Sequence, residues 1–222
     1  MKKPHSIAIE CSLPLDIALR IASSLQVEDV CALGSCSQFW RELCRSDRIW
    51  EPLARNRWPS LSTDPSPIPT NMGWKEFYME TNADRAHKAG TAVEFVEQRS
   101  LQFADYKVLT EKLCSWQFSF KDVQMLLFKP TINVYLNLIA LHYCIFNLQL
   151  KAKDIVDGLV SCKIADRRVD VIWWKLNGHF FGYLLKEKYY SLEDLVSVKH
   201  PDLSRIFMGD IGSKSLRLEV LE

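Results

Sequence analysis

Four prolines in the twelve residues from Pro59 to Thr70 constrain this chain more than any other feature. Proline fixes φ and donates no backbone N–H, so the stretch cannot continue a helix or form a central strand. It reads as an extended spacer. It divides the 222 residues into a small unit at 8–58, a linker at 59–73 and a larger unit at 74–222. A unit of under about 60 residues buries little surface on its own. Yet Leu13 to Trp58 is dense in leucine, isoleucine and tryptophan. That surplus of apolar side chains points to a docking module.

Within the module, Ser12 precedes Leu13-Pro14, and Pro14 suits a first helical turn. Leu13, Ile17, Ile21 and Leu25 recur four residues apart with Ala18 and Ala22 beside them, which predicts an amphipathic helix over 14–24. Asp16 falls in its first turn, where a carboxylate is favourable. Gln26 to Asp29 breaks the pattern, and a second short helix carries Val30, Leu33 and Cys36 or Ser37. A third, Ser37 to Leu43, presents Phe39, Trp40 and Leu43. Asp47 is placed to cap a last turn with Ile49, Trp50 and Leu53, and Trp58 closes the run.

The ordered series Leu13-Pro14-Leu15-Asp16-Ile17, Ile21 with Leu25, Glu28 to Leu33, Cys36 to Leu43, then Asp47 with Trp50 closely resembles an F-box. The resemblance covers about the first quarter of the chain. It implies that Leu13, Pro14, Ile17, Ile21 and Leu25 meet the adaptor Skp1. It also implies that Leu33, Phe39, Trp40, Leu43 and Trp50 are the remaining packing and contact positions. It further implies a non-catalytic substrate-receptor subunit of a Skp1–cullin–F-box ubiquitin ligase, and a tryptophan-bearing turn after the box, here Trp74, that packs back on it. Ala18 and the Cys31-Ala32 pair are smaller than such boxes commonly carry. Each missing methylene forgoes about 0.8 kcal/mol of burial.

Beyond the prolines, Trp74, Phe77 and Tyr78 share one helical face in a helix expected to reach Glu80. Asn82 to Gly90 reads as polar loop or frayed helix. Val93, Val96, Phe103, Tyr106 and Leu109 fit a helix only approximately. Trp116, Phe118 and Phe120 alternate with polar residues, which predicts a short strand. Asp122 is placed to cap a short helix stopped by Pro130. An apolar helix is expected over 133–147. An amphipathic one follows with Ala152, Ile155, Val156, Leu159 and Val160 as its stripe. Asn177-Gly178 marks a type I′ hairpin pairing Leu176 with His179, Trp174 with Phe181 and Ile172 with Tyr183. Ser191 and Asp194 resemble a capping box, and Leu216, Leu218 and Val220 form a final strand. The expected fold class is therefore α+β: a small all-helical N-terminal module, then a mixed helical and antiparallel-sheet domain. No leucine-rich, WD or kelch repeat is recognisable.

Composition removes several classes of function. Apolar residues make up 48% and charged residues 25%, and the net charge is +1, which gives no general attraction for polyanions. From Lys151 to Glu222 the chain has 12 basic and 11 acidic residues. That is too balanced for the winged-helix reading that the Lys151–Cys162 helix and the following hairpin suggest. The longest apolar stretch, Ile132 to Leu150, is interrupted by Asn133, Asn137, His142 and Asn147, which argues against a membrane span. Seven cysteines, an odd number with no C-x-x-C pair, suit a reducing interior, so an intracellular setting in cytoplasm or nucleus is expected. No histidine pair has metal-ligand spacing, and no cofactor or metal is expected. His142 reads as a core histidine, and Cys144 and Cys162 as core thiols. Trp173, Arg167 and Arg168 are the candidate substrate contacts. The alternative to a ligase subunit is a non-catalytic scaffold whose helices pack only on the chain itself.

Overall fold

The computed structural model describes residues 13–62, 72–98, 103–176, 182–197 and 214–219, so most of the proline-rich stretch and the Asn177-Gly178 turn lie outside them. The chain divides into two compact units, Met1–Ala83 and Asp84–Glu222. Among the described residues, no helix is long and apolar enough to cross a membrane.

The first unit contains α1 (Leu15–Ser23), α2 (Val27–Cys36), α3 (Gln38–Leu43) and α4 (Asp47–Arg57), a 3-10 turn at Pro59–Ser62, and the start of α5 (Trp74–Glu97). The last turn expected after Asp47 is thus a full helix of 11 residues. Ser37 caps α3 by accepting from the Trp40 N–H. Ala18 and Ala22 are fully enclosed, so their small size lets α1 lie close to its neighbours. Cys31 and Ala32 are exposed, and their small size costs no packing.

In the second unit, α5 continues to Glu97 straight through the segment expected to be loop. Asn82 to Gly90 is polar because it is a solvent-facing helix. Lys88 and Asp84 pair across one turn at 2.6 Å, while Ala89, Ala92 and Val96 turn into the core. Next come α6 (Phe103–Trp116) and α7 (Phe120–Leu126). The strand expected over 116–120 is absent. Gln117 takes a φ of 52° that ends α6, and Ser119 then opens α7 with a reciprocal capping box to Asp122. The alternation of Trp116, Phe118 and Phe120 is a helix end, a link and a helix start.

At the centre is α8 (Val134–His142), with every one of its nine residues buried. It runs into a π turn at Tyr143–Asn147 whose Tyr143 hydroxyl donates to the Phe118 carbonyl at 3.0 Å. α9 (Ala152–Ser161) buries Ile155, Gly158 and Leu159. Ala152 and Val160, expected in its apolar stripe, are exposed. Gly158 shifts the contact line: a Cβ there would come within 2.7 Å of the Phe120 ring. α9 ends in a Schellman turn in which Ile164 N–H reaches Leu159 O and Lys163 N–H reaches Val160 O. Lys163, at φ 58°, occupies the left-handed position where glycine is usual.

The expected mixed helical and sheet domain is corrected to a helical one. Of the residues whose side chains are described, 76% are helical and 1% lie in strands, and the core of this unit is helix against helix. The backbone of β1 (Arg168–Leu176), β2 (Gly182–Ser191) and β3 (Lys214–Glu219) pairs in the antiparallel order β2-β1-β3. α10 (Leu192–Ser197) follows β2 and adds Leu192, Leu195 and Val196 to the helical core.

The expected hairpin register is also corrected. Leu176 pairs with Gly182, Lys175 with Tyr183 and Trp174 with Leu184, and an irregularity between Ile172 and Trp174 brings Ile172 opposite Glu187. The register is held at the open end of the ladder, where Arg168 pairs with Ser191. There Leu192 and Glu193 N–H groups reach the carbonyls of Arg167 and Ala165. Ser191 and Asp194 complete the capping box that starts α10. An Asn-Gly pair has a local preference only, and anchored ends override it.

Candidate functional site

The candidate site of the first unit is built on α1. One stripe of this helix, Ala18 and Ala22, is enclosed against its neighbours. Ile17 at 37% and Ile21 at 44% exposure stand in water with Pro14 beside them, while Leu13 and Leu25 are half-buried. Two exposed isoleucines one turn apart form an apolar ridge that the unit leaves uncovered. Leu33, Phe39 and Trp40 are half-buried against the same core, with Phe39 and Trp40 edge to face at 5.2 Å.

Leu43 and Trp50 are enclosed. Trp50 is 1% exposed and donates its indole N–H to the Cys44 carbonyl at 2.7 Å. Its ring lies 5.4 Å from that of Tyr78, which also meets Trp58 at 5.0 Å. Cations interleave with this seam. Arg57 lies over Trp58 and Tyr78 and donates to the Tyr78 hydroxyl at 2.8 Å. Arg55 covers Trp74 at 5.0 Å, and Lys75 covers Trp50 at 5.8 Å. The start of α5 therefore packs on the module, as the resemblance implies for Trp74. Sequence reasoning missed the clasp that holds it. Asp47, expected to cap its own helix, instead accepts from the Trp74 N–H at 2.9 Å and caps α5. Asp47 is 27 residues from Trp74, and no local pattern signals so distant a cap.

The substrate candidates fall in the second unit and are not alike. Arg167 is half-buried, and its Nη1 donates to the Ile132 carbonyl at 2.7 Å, to the Lys129 carbonyl and to Asn137 Oδ1. Asn137 is fully buried on α8 and donates in turn to the Leu127 carbonyl at 2.6 Å. Arg168 is exposed. The backbone of Trp173 pairs with Leu216, Gly182 lies opposite Leu176, and the side chain of Trp173 lies outside the described residues.

Burial governs the titratable groups here. It pushes the His142 pKa down from 6.5 to about 4, leaving a neutral imidazole edge-on to Phe146. It raises the thiols of Cys44, Cys114 and Cys144, the opposite of what activates a nucleophile. It also pushes the Tyr143 hydroxyl up to about 12. Among the described residues, no group of three or more His, Cys, Asp or Glu side chains could hold a metal ion.

Residues 11–56 match the F-box-like family. The chain is similar to F-box only protein 36 of Mus musculus, 29% identical over 66 residues, which are 30% of this chain and 35% of that protein. Against the Homo sapiens protein of the same name it is 29% identical over 63 residues, 28% of this chain and 34% of the relative. It is also 39% identical to F-box only protein 4 of Bos taurus over 51 residues, 23% of this chain and 13% of the relative. The matched stretch thus spans about a third of the first relatives' length or less. No solved structure matches the chain.

Proposed function

We propose, from the match of residues 11–56 to the F-box-like family, that this chain is the substrate-receptor subunit of a Skp1–cullin–F-box ubiquitin ligase. In this reading α1 docks on a Skp1-like adaptor. The module performs no chemistry, and the second unit holds a protein substrate for ubiquitin transfer by another subunit. The uncovered Ile17–Ile21 ridge carries the proposal: burying apolar surface is the main force for association, and these side chains remain available for it. Leu13, Pro14, Leu25, Leu33, Phe39 and Trp40 border the ridge or support it. Leu43 and Trp50 keep the module in shape from within. On the substrate side, Arg168 and Trp173 remain the proposed contacts.

The test is co-purification of the full chain with Skp1. Ile17 and Ile21 keep 37% and 44% of their surface to bury, worth about 1 kcal/mol each. A carboxylate forced into the same apolar contact costs about 1 kcal/mol or more besides, so Ile17→Asp with Ile21→Asp should weaken binding about 100-fold or more. The melting temperature should fall by a few degrees at most, because both side chains are partly exposed. Binding that survives the double substitution would refute the assignment. A scaffold that packs only on itself accounts for the enclosed Leu43 and Trp50 but leaves the ridge without a role.

A further inference from the structure

α1 bears a second apolar row, on its other side, and its reading rests on the adaptor docking proposed above. At 100° per residue, Leu15 and Leu19 lie about 160° around the helix from Ile17 and Ile21. Leu15 is 60% exposed. Together with Asp16, Arg20, Ser23 and Ser24 of the same stretch and Arg48 of α4, they line an open groove of about 770 Å³. The lining thus carries two guanidinium groups and one carboxylate. Among the described residues, neither arginine forms an ion pair. Arg48 stands in the first turn of α4, next to the positive end of the helix dipole, where a cation is disfavoured. Arg48 therefore adds nothing to α4, and its exposed charge is free to meet an incoming anion.

We infer that this groove receives an acidic segment of the same Skp1-like adaptor. One aliphatic side chain of that segment rests on Leu15 and Leu19, and its carboxylates meet Arg20 and Arg48. The adaptor then holds α1 from two sides, by apolar contact at Ile17 and Ile21 and by charge across the groove. Charge of this kind acts mainly on the rate of encounter and on its sensitivity to salt.

The experiment measures Skp1 binding to the full chain at low salt, about 50 mM, and high salt, about 500 mM. It compares wild type with Arg20→Glu/Arg48→Glu and with Arg20→Lys/Arg48→Lys. Charge reversal should slow association about tenfold or more at low salt, and the deficit should shrink at high salt. The lysine pair should retain most of the wild-type rate. Arg48→Glu alone should leave the melting temperature unchanged or raise it, since a carboxylate suits that turn, which separates lost binding from unfolding. If the reversed variant binds with wild-type affinity and salt dependence, or loses equally at both salt levels, the groove inference fails while the adaptor reading stands. If wild type ignores Skp1, both fail.

Discussion

Replacing Arg167 with alanine should destabilise the second unit, because the residue closes a buried network. The guanidinium supplies a donor to Asn137 Oδ1 and another bond to the Ile132 carbonyl. Asn137 is 0% exposed, so water cannot replace that donor. An unsatisfied buried acceptor costs about 1–3 kcal/mol. The Ile132 bond is charge-assisted, but Arg167 is only half-buried, so solvent repairs part of its loss. Together these give about 2–4 kcal/mol, or roughly 5–15 °C in melting temperature for a unit of this size. Urea denaturation followed by hydrogen exchange at α8 amides would place the loss in the second unit. Arg167→Lys should fall between wild type and alanine, because one ammonium cannot reproduce the guanidinium fork. Arg168→Ala should stay within about 0.5 kcal/mol. A double-mutant cycle with Asn137→Ala should show coupling of about 1 kcal/mol or more. An Arg167→Ala protein within about 0.5 kcal/mol of wild type, or an additive cycle, would refute the network. A primary role in substrate capture predicts that other result, with stability kept and substrate lost.

Asp47→Ala should cost about 1 kcal/mol by uncapping α5, and Asp47→Asn should keep most of it, because an amide oxygen still accepts from Trp74; urea midpoints of the first unit decide. Lys163→Gly should raise stability by about 0.5–1 kcal/mol, since it relieves a left-handed conformation, and an unchanged or lower midpoint would contradict the Schellman turn. His142 has a pKa depressed from 6.5 to about 4, so its neutral form contributes stability that is complete above pH 6.5 and lost as pH falls through about 4. The drop is worth about 3 kcal/mol, and His142→Gln should flatten that part of a stability–pH profile.

Legibility in the sequence followed the range of the interactions. Helices α1 to α3 could be read because their apolar spacing and the break at Gln26 are local, although the Ser37 cap of α3 was not among the signals read. The capping box at Ser191 was legible for the same reason. At 82–90 the polar composition misled: an exposed helix and a loop share it, and only Ala89 with Ala92 and Val96 hinted at a buried stripe. At 116–120 the two-residue rhythm of aromatics imitated a strand, although Gln117 turned the chain between two helices. The hairpin register failed where a local turn preference met anchors at Arg167, Ala165 and Ser191. For the site, spacing marked Ile17 and Ile21 as part of an apolar row, and the F-box resemblance alone implied their docking role. No pattern showed that Trp50 would be shut in by Tyr78, or that Arg167 would turn inward toward Asn137, because those partners lie far away in the chain.

The full burial of α8 has a consequence for biosynthesis. Residues 134–142 have no face that tolerates water, yet several of their covers, α9, Arg167 and α10, are translated later. As the chain leaves the ribosome, nine sticky residues wait for about fifty more to emerge, an interval in which nascent chains aggregate or recruit chaperones. A stop codon or splice variant that removes Leu192 to Val196 should therefore yield an insoluble second unit while sparing α1 to α4. Chaperone demand, rather than any loss of docking, would then set the cellular level of such a product.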